Sequence, residues 1–142
     1  MILEDSGDLW LAGRDDLTEN HNKFTKLPLN FKTKSVTCGW DVTAALSEEN
    51  QLFVWGSNSS NQLGFPQKSV ISSPQQLHLP DNEIPVDVKF GLKFITIHTK
   101  SQKLFITGNL RSFLKSPHSN FSLITHNSIE WLQTEDISQF AC

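Results

Sequence analysis

No stretch of this chain approaches the ~18 consecutive apolar residues that a membrane-spanning helix requires. The N-terminal "MILEDSGDLW" also lacks the basic region and apolar run of a signal peptide. Membrane insertion is therefore not expected, and the expected compartment is the cytoplasm, with the nucleus left open. Two sequons, at Asn58 and Asn120, read as chance matches without a secretion signal. Cysteine is scarce: Cys38 and Cys142 lie too far apart to suggest a disulfide framework or a metal knuckle. None of the five histidines stands at H-x-x-x-H or H-E-x-x-H spacing, so no metal and no cofactor are expected. Basic clusters are missing too. The nearest is "FKTKS", with Lys32 and Lys34, in a chain of net charge −3. Phosphate backbones need clustered Lys and Arg, so no nucleic-acid partner is expected.

What remains is a chain of 142 residues with 19% charged side chains, enough for one ordinary core and too uncharged for disorder. Its organisation is a repeat. "VTCGWDVTAALSEENQLFVWG" (36–56) aligns without gaps on "VKFGLKFITIHTKSQKLFITG" (88–108) at an offset of 52, with five of 21 positions identical. Leu27-Pro28 recurs as Leu79-Pro80 at the same offset, and a further step reaches Trp131-Leu132 and Phe140. A partial copy, "GDLWLAG" (7–13), precedes them at an offset of 43. The shortening falls after its glycine, in an outer loop, where deletions are tolerated.

Each unit reads as β structure. Short branched or aromatic runs alternate with turn clusters such as "SEENQ" and "TKSQK", which spaces strands about 8–12 residues apart. "QLFVWG" is apolar without alternation, as in a strand buried on both faces. Gly, Pro, Asn and Ser interrupt every candidate helical window.

With the period established, the 36–74 stretch resembles the repeat of the regulator-of-chromosome-condensation family. The matching positions include Val36, Cys38, Gly39, Thr43, Ala45, Leu46, Leu52, Phe53, Trp55, Gly56, Asn58, Gln62, Leu63, Gly64 and Pro74; Gly91, Leu104, Phe105 and Gly108 follow in the next copy. "CGWDVT" and "GSNSSNQLGFP" look most like the branch called secretion-regulating guanine nucleotide exchange factor. Departures exist. Val42 and Phe94 stand where the family has His, and Asn61 replaces a turn glycine, a position that requires positive φ, which Asn tolerates. After Gly108 the loop motif dissolves into "NLRSFLKSPHSN".

The resemblance implies an all-β partial β-propeller of about two and a half blades, each a four-stranded antiparallel sheet. Residues 1–35 form a partial first blade, 36–87 the best-conforming repeat, 88–139 a degenerate one, and 140–142 the start of another. Seven such units need roughly 360 residues, so the chain reads as a fragment. Open blade faces, such as those of Leu52, Val54 and Leu104, are then expected to need missing blades or a partner chain, and residues 1–142 alone to be poorly soluble or to self-associate.

No catalytic constellation emerges. Gly56–Gly64 carries no Lys-Ser/Thr and is no phosphate-binding loop, and the pairs Asp15/Asp16 and Glu48/Glu49 read as solvated turns. Cys38 reads as a buried structural thiol, and Cys142 likewise by position. Trp10, Trp55 and Trp131 read as core. Trp40, beside Asp41 and just past a glycine bend, reads as a protein-contacting residue, together with Ser57, Asn58, Asn61 and Gln62 of the loop that follows. Two functions stay open: a non-enzymatic scaffold for protein partners, or, as the resemblance implies for some members, guanine nucleotide exchange on a small GTPase. Exchange works by stabilising the nucleotide-free GTPase and needs a shaped face more than reactive groups.

Overall fold

The computed structural model describes residues 1–14, 20–109 and 122–124, with side chains for 1–12 and 23–109. Trp131, Phe140, Cys142 and most of the 109–120 segment lie outside the described residues. Among the described residues eleven strands make three antiparallel sheets. The first is a three-stranded meander of β1 (Ile2–Leu3), β2 (Leu9–Arg14) and β3 (Asn20–Lys26). The second orders β4 (Thr33–Cys38), β5 (Val42–Ser47), β6 (Leu52–Ser57) and β7 (Val70–Leu77). The third orders β8 (Pro85–Phe90), β9 (Phe94–Thr99), β10 (Leu104–Gly108) and β11 (Ser122–Ile124). One short 3-10 turn, Pro80–Asn82, joins the last two sheets. The fold is all-β, and each sheet is one blade.

The period of 52 is structural. β4 and β8, β5 and β9, and β6 and β10 begin 52 residues apart. So do the registers: Val42 pairs with Gly56 as Phe94 pairs with Gly108, and Leu46 with Leu52 as His98 with Leu104. The turns between β5 and β6 and between β9 and β10 repeat as well. The Ser47 and Thr99 hydroxyls accept from Gln51 N–H and Lys103 N–H, and Asn50 and Gln102 both take positive φ. A type I turn closed by a left-handed residue is a standard hairpin solution.

β5 is buried along all six residues and β6 along most of its length, as lack of alternation requires. The middle sheet lies between the other two. One core cluster runs from Leu9 through Leu46, Leu52, Val54 and Trp55 to Val88, Ile95, Ile97 and Phe105. Each fully buried Leu, Ile or Val contributes roughly 1.5–3 kcal/mol over leaving it exposed. Phe53 leaves the core to stack on Phe31, with ring centroids 3.8 Å apart.

Three expectations need correction. Leu52 and Val54 are covered, because theirs is the central sheet of the three. Cys38 is exposed. Its counterpart Phe90 is buried and reaches the turn of the preceding sheet, where a Cβ on Gly39 would lie 3.0 Å from the Phe90 Cβ. Among the described residues the sheet preceding Cys38 has three strands, and none of its turns reaches Cys38. Trp10 is only half-buried, on the same three-stranded sheet, whereas Trp55 is core.

Candidate interaction surface

Every blade has two ends. At one end lie the turns before β5 and β9 and the exits of β6 and β10. At the other lie the hairpins 4–8, 47–51 and 99–103.

The first end is built on backbone. In the β4–β5 turn Gly39 N–H donates to the Val42 carbonyl at 2.8 Å, and Ser57 N–H donates to the Asp41 carbonyl at 2.7 Å. In the β8–β9 turn Gly91 N–H donates to Phe94 at 2.9 Å and Asn109 N–H to Lys93 at 2.8 Å. The exits are glycines for a reason. Gly56 has φ +116° and Gly108 φ +119°, and a Cβ on either would strike the carbonyl of Asp41 or Lys93. No side chain fits so close to the turn backbone.

The turns so pinned project Trp40, 85% exposed, and Leu92, 77% exposed. Asp41 and Lys93 beside them are exposed and make no ion pair among the described residues. The two turns adjoin, since Phe90 lies against Gly39. Leu92 follows a complete four-stranded sheet and is still exposed. A complete preceding sheet therefore does not cover this turn position.

The loop after Ser57 behaves differently. Asn58 is only 3% exposed: its Nδ2 donates to the Phe65 and Lys68 carbonyls at 2.7 and 2.6 Å, and its Oδ1 accepts from Leu63 N–H at 2.8 Å. Gln62 is also buried and accepts from Ser60 N–H through Oε1. Asn61 takes φ +55°, as its replacement of glycine requires, and its carbonyl accepts from the Thr107 hydroxyl of the next blade. Ser57 is half-buried. The side chains of Asn58 and Gln62 therefore hold the loop together from inside, which corrects their placement among contact residues. Trp40 and Asp41 stay on the surface. Leu92 and Lys93, 52 positions after Trp40 and Asp41 in the ungapped alignment, occupy the equivalent exposed positions of the next sheet.

At the hairpin end, charge dominates. Asp8 receives Lys26 at 2.6 Å and Lys32 at 2.8 Å, which hold its carboxyl down to about 2. Lys103 at 2.6 Å and the Ser101 hydroxyl hold Glu83 down to about 2, and Glu83 raises Lys103 in return. Glu48 and Glu49 are solvated there. Among the described residues no group of three or more His, Cys, Asp or Glu is placed to hold a metal, and no helix is long and apolar enough to cross a membrane.

Sequence profiles of the regulator of chromosome condensation (RCC1) repeat match residues 34–62 and 49–97. The secretion-regulating guanine nucleotide exchange factor of Bos taurus is 33% identical over 119 residues, covering 75% of this chain and 25% of that protein. The ultraviolet-B receptor UVR8 of Arabidopsis thaliana is 30% identical over 99 residues, covering 68% of this chain and 22% of that one. The chain thus spans no more than a quarter of either relative. In fold it resembles human WBSCR16, with a TM-score of 0.71 at 18% identity over 87% of this chain and 34% of that one. It resembles equally a chain of the complex of Kap60 with yeast RCC1 (Prp20), with a TM-score of 0.69 at 17% identity over the same shares. Repeat period, sheet register and sequence profile agree: the chain belongs to the regulator of chromosome condensation repeat family and forms blades of its β-propeller.

Proposed function

We propose that this chain is a non-catalytic propeller module that binds protein partners through the turn end of its blades. The observation that carries the reading is Trp40, a large aromatic side chain held almost fully in solvent by a turn whose backbone is fixed. Tryptophan presented on a rigid element is a common anchor of protein interfaces. Asp41 beside it supplies a charge for orientation, and the rest of the loop through Gln62 acts as support.

A second reading is favoured by one observation. The chain matches an exchange factor over three quarters of its own length. Stabilising a nucleotide-free small GTPase against the same turn end is compatible with this geometry, because exchange requires differential binding and no reactive group. The expected site of action is cytoplasmic, with nuclear residence also compatible.

The two readings part in one experiment. Release of a fluorescent GDP analogue is followed over a panel of small GTPases with the whole gene product, wild type and Trp40→Ala. Under the scaffold reading no GTPase responds, while partners crosslink to the 39–41 turn in the wild type and not in the variant. Acceleration that Trp40→Ala abolishes supports exchange. Partners that crosslink elsewhere and ignore the variant sink the placement at this end.

A further inference from the structure

We propose that Ser73 is a phosphoacceptor for a proline-directed protein kinase and that Lys68 receives the phosphate. The site lies on the edge strand of the middle sheet and does not depend on Trp40 or its neighbours.

The sequence "SSPQQ" places a proline directly after Ser73. β7 ends the order β4-β5-β6-β7, so one side of its backbone has no neighbouring strand among the described residues. Its register on β6 also breaks there. Gly56 pairs with Ile71 and Val54 with Gln75, which leaves residues 72–74 opposite Trp55 alone. Such a bulge takes residues out of the ladder. Ser73 is exposed, and its hydroxyl makes no hydrogen bond among the described residues. Proline restricts the residue before it to extended backbone, the conformation in which a kinase cleft takes its acceptor segment. A proline on an edge strand also blunts strand addition, but that use needs no hydroxyl before it.

A receiver for the phosphate stands close by. Lys68 Nζ donates to Gln75 Oε1 at 3.0 Å and pairs with no carboxylate among the described residues. Its backbone is fixed, because the Lys68 carbonyl accepts from the buried Asn58 Nδ2 at 2.6 Å. Ser73 lies two residues before Gln75, about 7 Å along the strand. That span is within the swing of a lysine held only by a neutral amide. A phosphoserine brings roughly two negative charges and three acceptor oxygens, so it displaces the amide as partner of the ammonium. The new pair ties β7 to the loop that Asn58 closes.

ATP is the donor. Ser73 Oγ bonds to the γ-phosphorus as the bond from that phosphorus to the bridging oxygen breaks. ADP leaves, and the hydroxyl proton passes to the catalytic aspartate of the kinase.

The test incubates the folded full chain with ATP and a cyclin-dependent kinase, and maps phosphate by tandem mass spectrometry. Ser73 should be labelled at a rate within ten-fold of a synthetic peptide spanning residues 68–80. Ser73→Ala should remove that label, and Pro74→Ala should lower its rate at least ten-fold in chain and peptide alike. Labelling of the peptide but not of the folded chain overturns the site, as does labelling confined to the other Ser-Pro, Ser116-Pro117. An unchanged rate in Pro74→Ala overturns the class of kinase. Phosphorus-31 titration of the labelled chain then reads Lys68. The second pKa of the phosphate should fall below its usual value near about 6, and Lys68→Ala should restore it. A phosphate that titrates alike in chain, variant and peptide overturns the role of Lys68 and leaves the acceptor standing.

Discussion

The two ends of these blades solve opposite problems with opposite chemistry. At the hairpin end the surface is mostly charged and part of the charge is paired, Asp8 with Lys26 and Lys32 and Glu83 with Lys103, while Glu48 and Glu49 stay solvated. At the turn end the arrangement is inverted. Polar groups such as Asn58, Gln62 and the Thr107 hydroxyl are buried and spent on backbone, while Trp40 and Leu92 stand in solvent. An end that only closes a sheet needs the first arrangement. The second exposes apolar surface, and beside it the Asn58 side chain makes three hydrogen bonds to the loop backbone.

The largest expected effect breaks that support. Asn58→Ala removes the part-buried hydrogen bonds to the Phe65 and Lys68 carbonyls, each contributing about 0.5–1.5 kcal/mol, and strands the buried Leu63 N–H at about 1–3 kcal/mol. The chain should lose about 3–5 kcal/mol in urea titration, a large share of the stability of an ordinary domain. Asn58→Asp should be no milder, because a carboxylate accepts and cannot donate to Phe65 and Lys68. A loss below about 1 kcal/mol would show that the loop is held by other contacts.

Gly56→Ala comes next. It combines a left-handed φ with a collision against the Asp41 carbonyl, and should cost about 2–4 kcal/mol in the same titration. Gly108→Ala should behave alike, since Gly108 meets the Lys93 carbonyl in the same way. If only one of the two destabilises, the blades are less equivalent than their registers imply.

The spacing of strands, the apolar centre of each blade and the need for positive φ at Asn61 were all legible in the chain. Each follows from local rules: period, lack of alternation, turn geometry. The polarity of the 57–66 loop misled, because Asn and Gln suit solvent as well as they suit a buried tight turn. Nothing in "GSNSSNQLG" says that Asn58 closes the loop on Phe65 and Lys68. Cys38 misled for a different reason. Its burial depends on a turn in the preceding sheet, and the described residues of that sheet bring none against it. Leu92 and Lys93 were legible in principle, through strict transfer of Trp40 and Asp41 across one period, but their residue types differ enough to hide the correspondence.

Acid should weaken the hairpin end selectively. Asp8 and Glu83 titrate near 2 when folded, below the ordinary carboxyl range near 4. A depressed folded value contributes stability above the unfolded pKa, and that contribution fades as pH falls from about 4.5 toward 2. Asp8→Asn or Glu83→Gln should flatten the acid limb of a melting-temperature profile. Because these pairs are exposed, added salt should shrink the difference. A limb unchanged by both substitutions would move the acid sensitivity elsewhere.

The smallest expected effect is the sharpest test of the comparison. Trp40→Ala removes the largest side chain the protein has, yet the indole touches little within the blade, and Leu92→Ala removes one just as isolated. Surface substitutions away from caps, cavities and buried polar groups fall within about 0.5 kcal/mol, so both variants should melt with the wild type. Comparable truncations in the core, such as Leu52→Ala, should cost about 2–5 kcal/mol. The contrast matters because an exposed tryptophan that contributes nothing to folding is retained against its own tendency to aggregate. If Trp40→Ala proves destabilising by more than about 1 kcal/mol, the indole packs on its own turn in solution. The turn end would then be an ordinary sheet closure, and its likeness to the hairpin end would outweigh the difference.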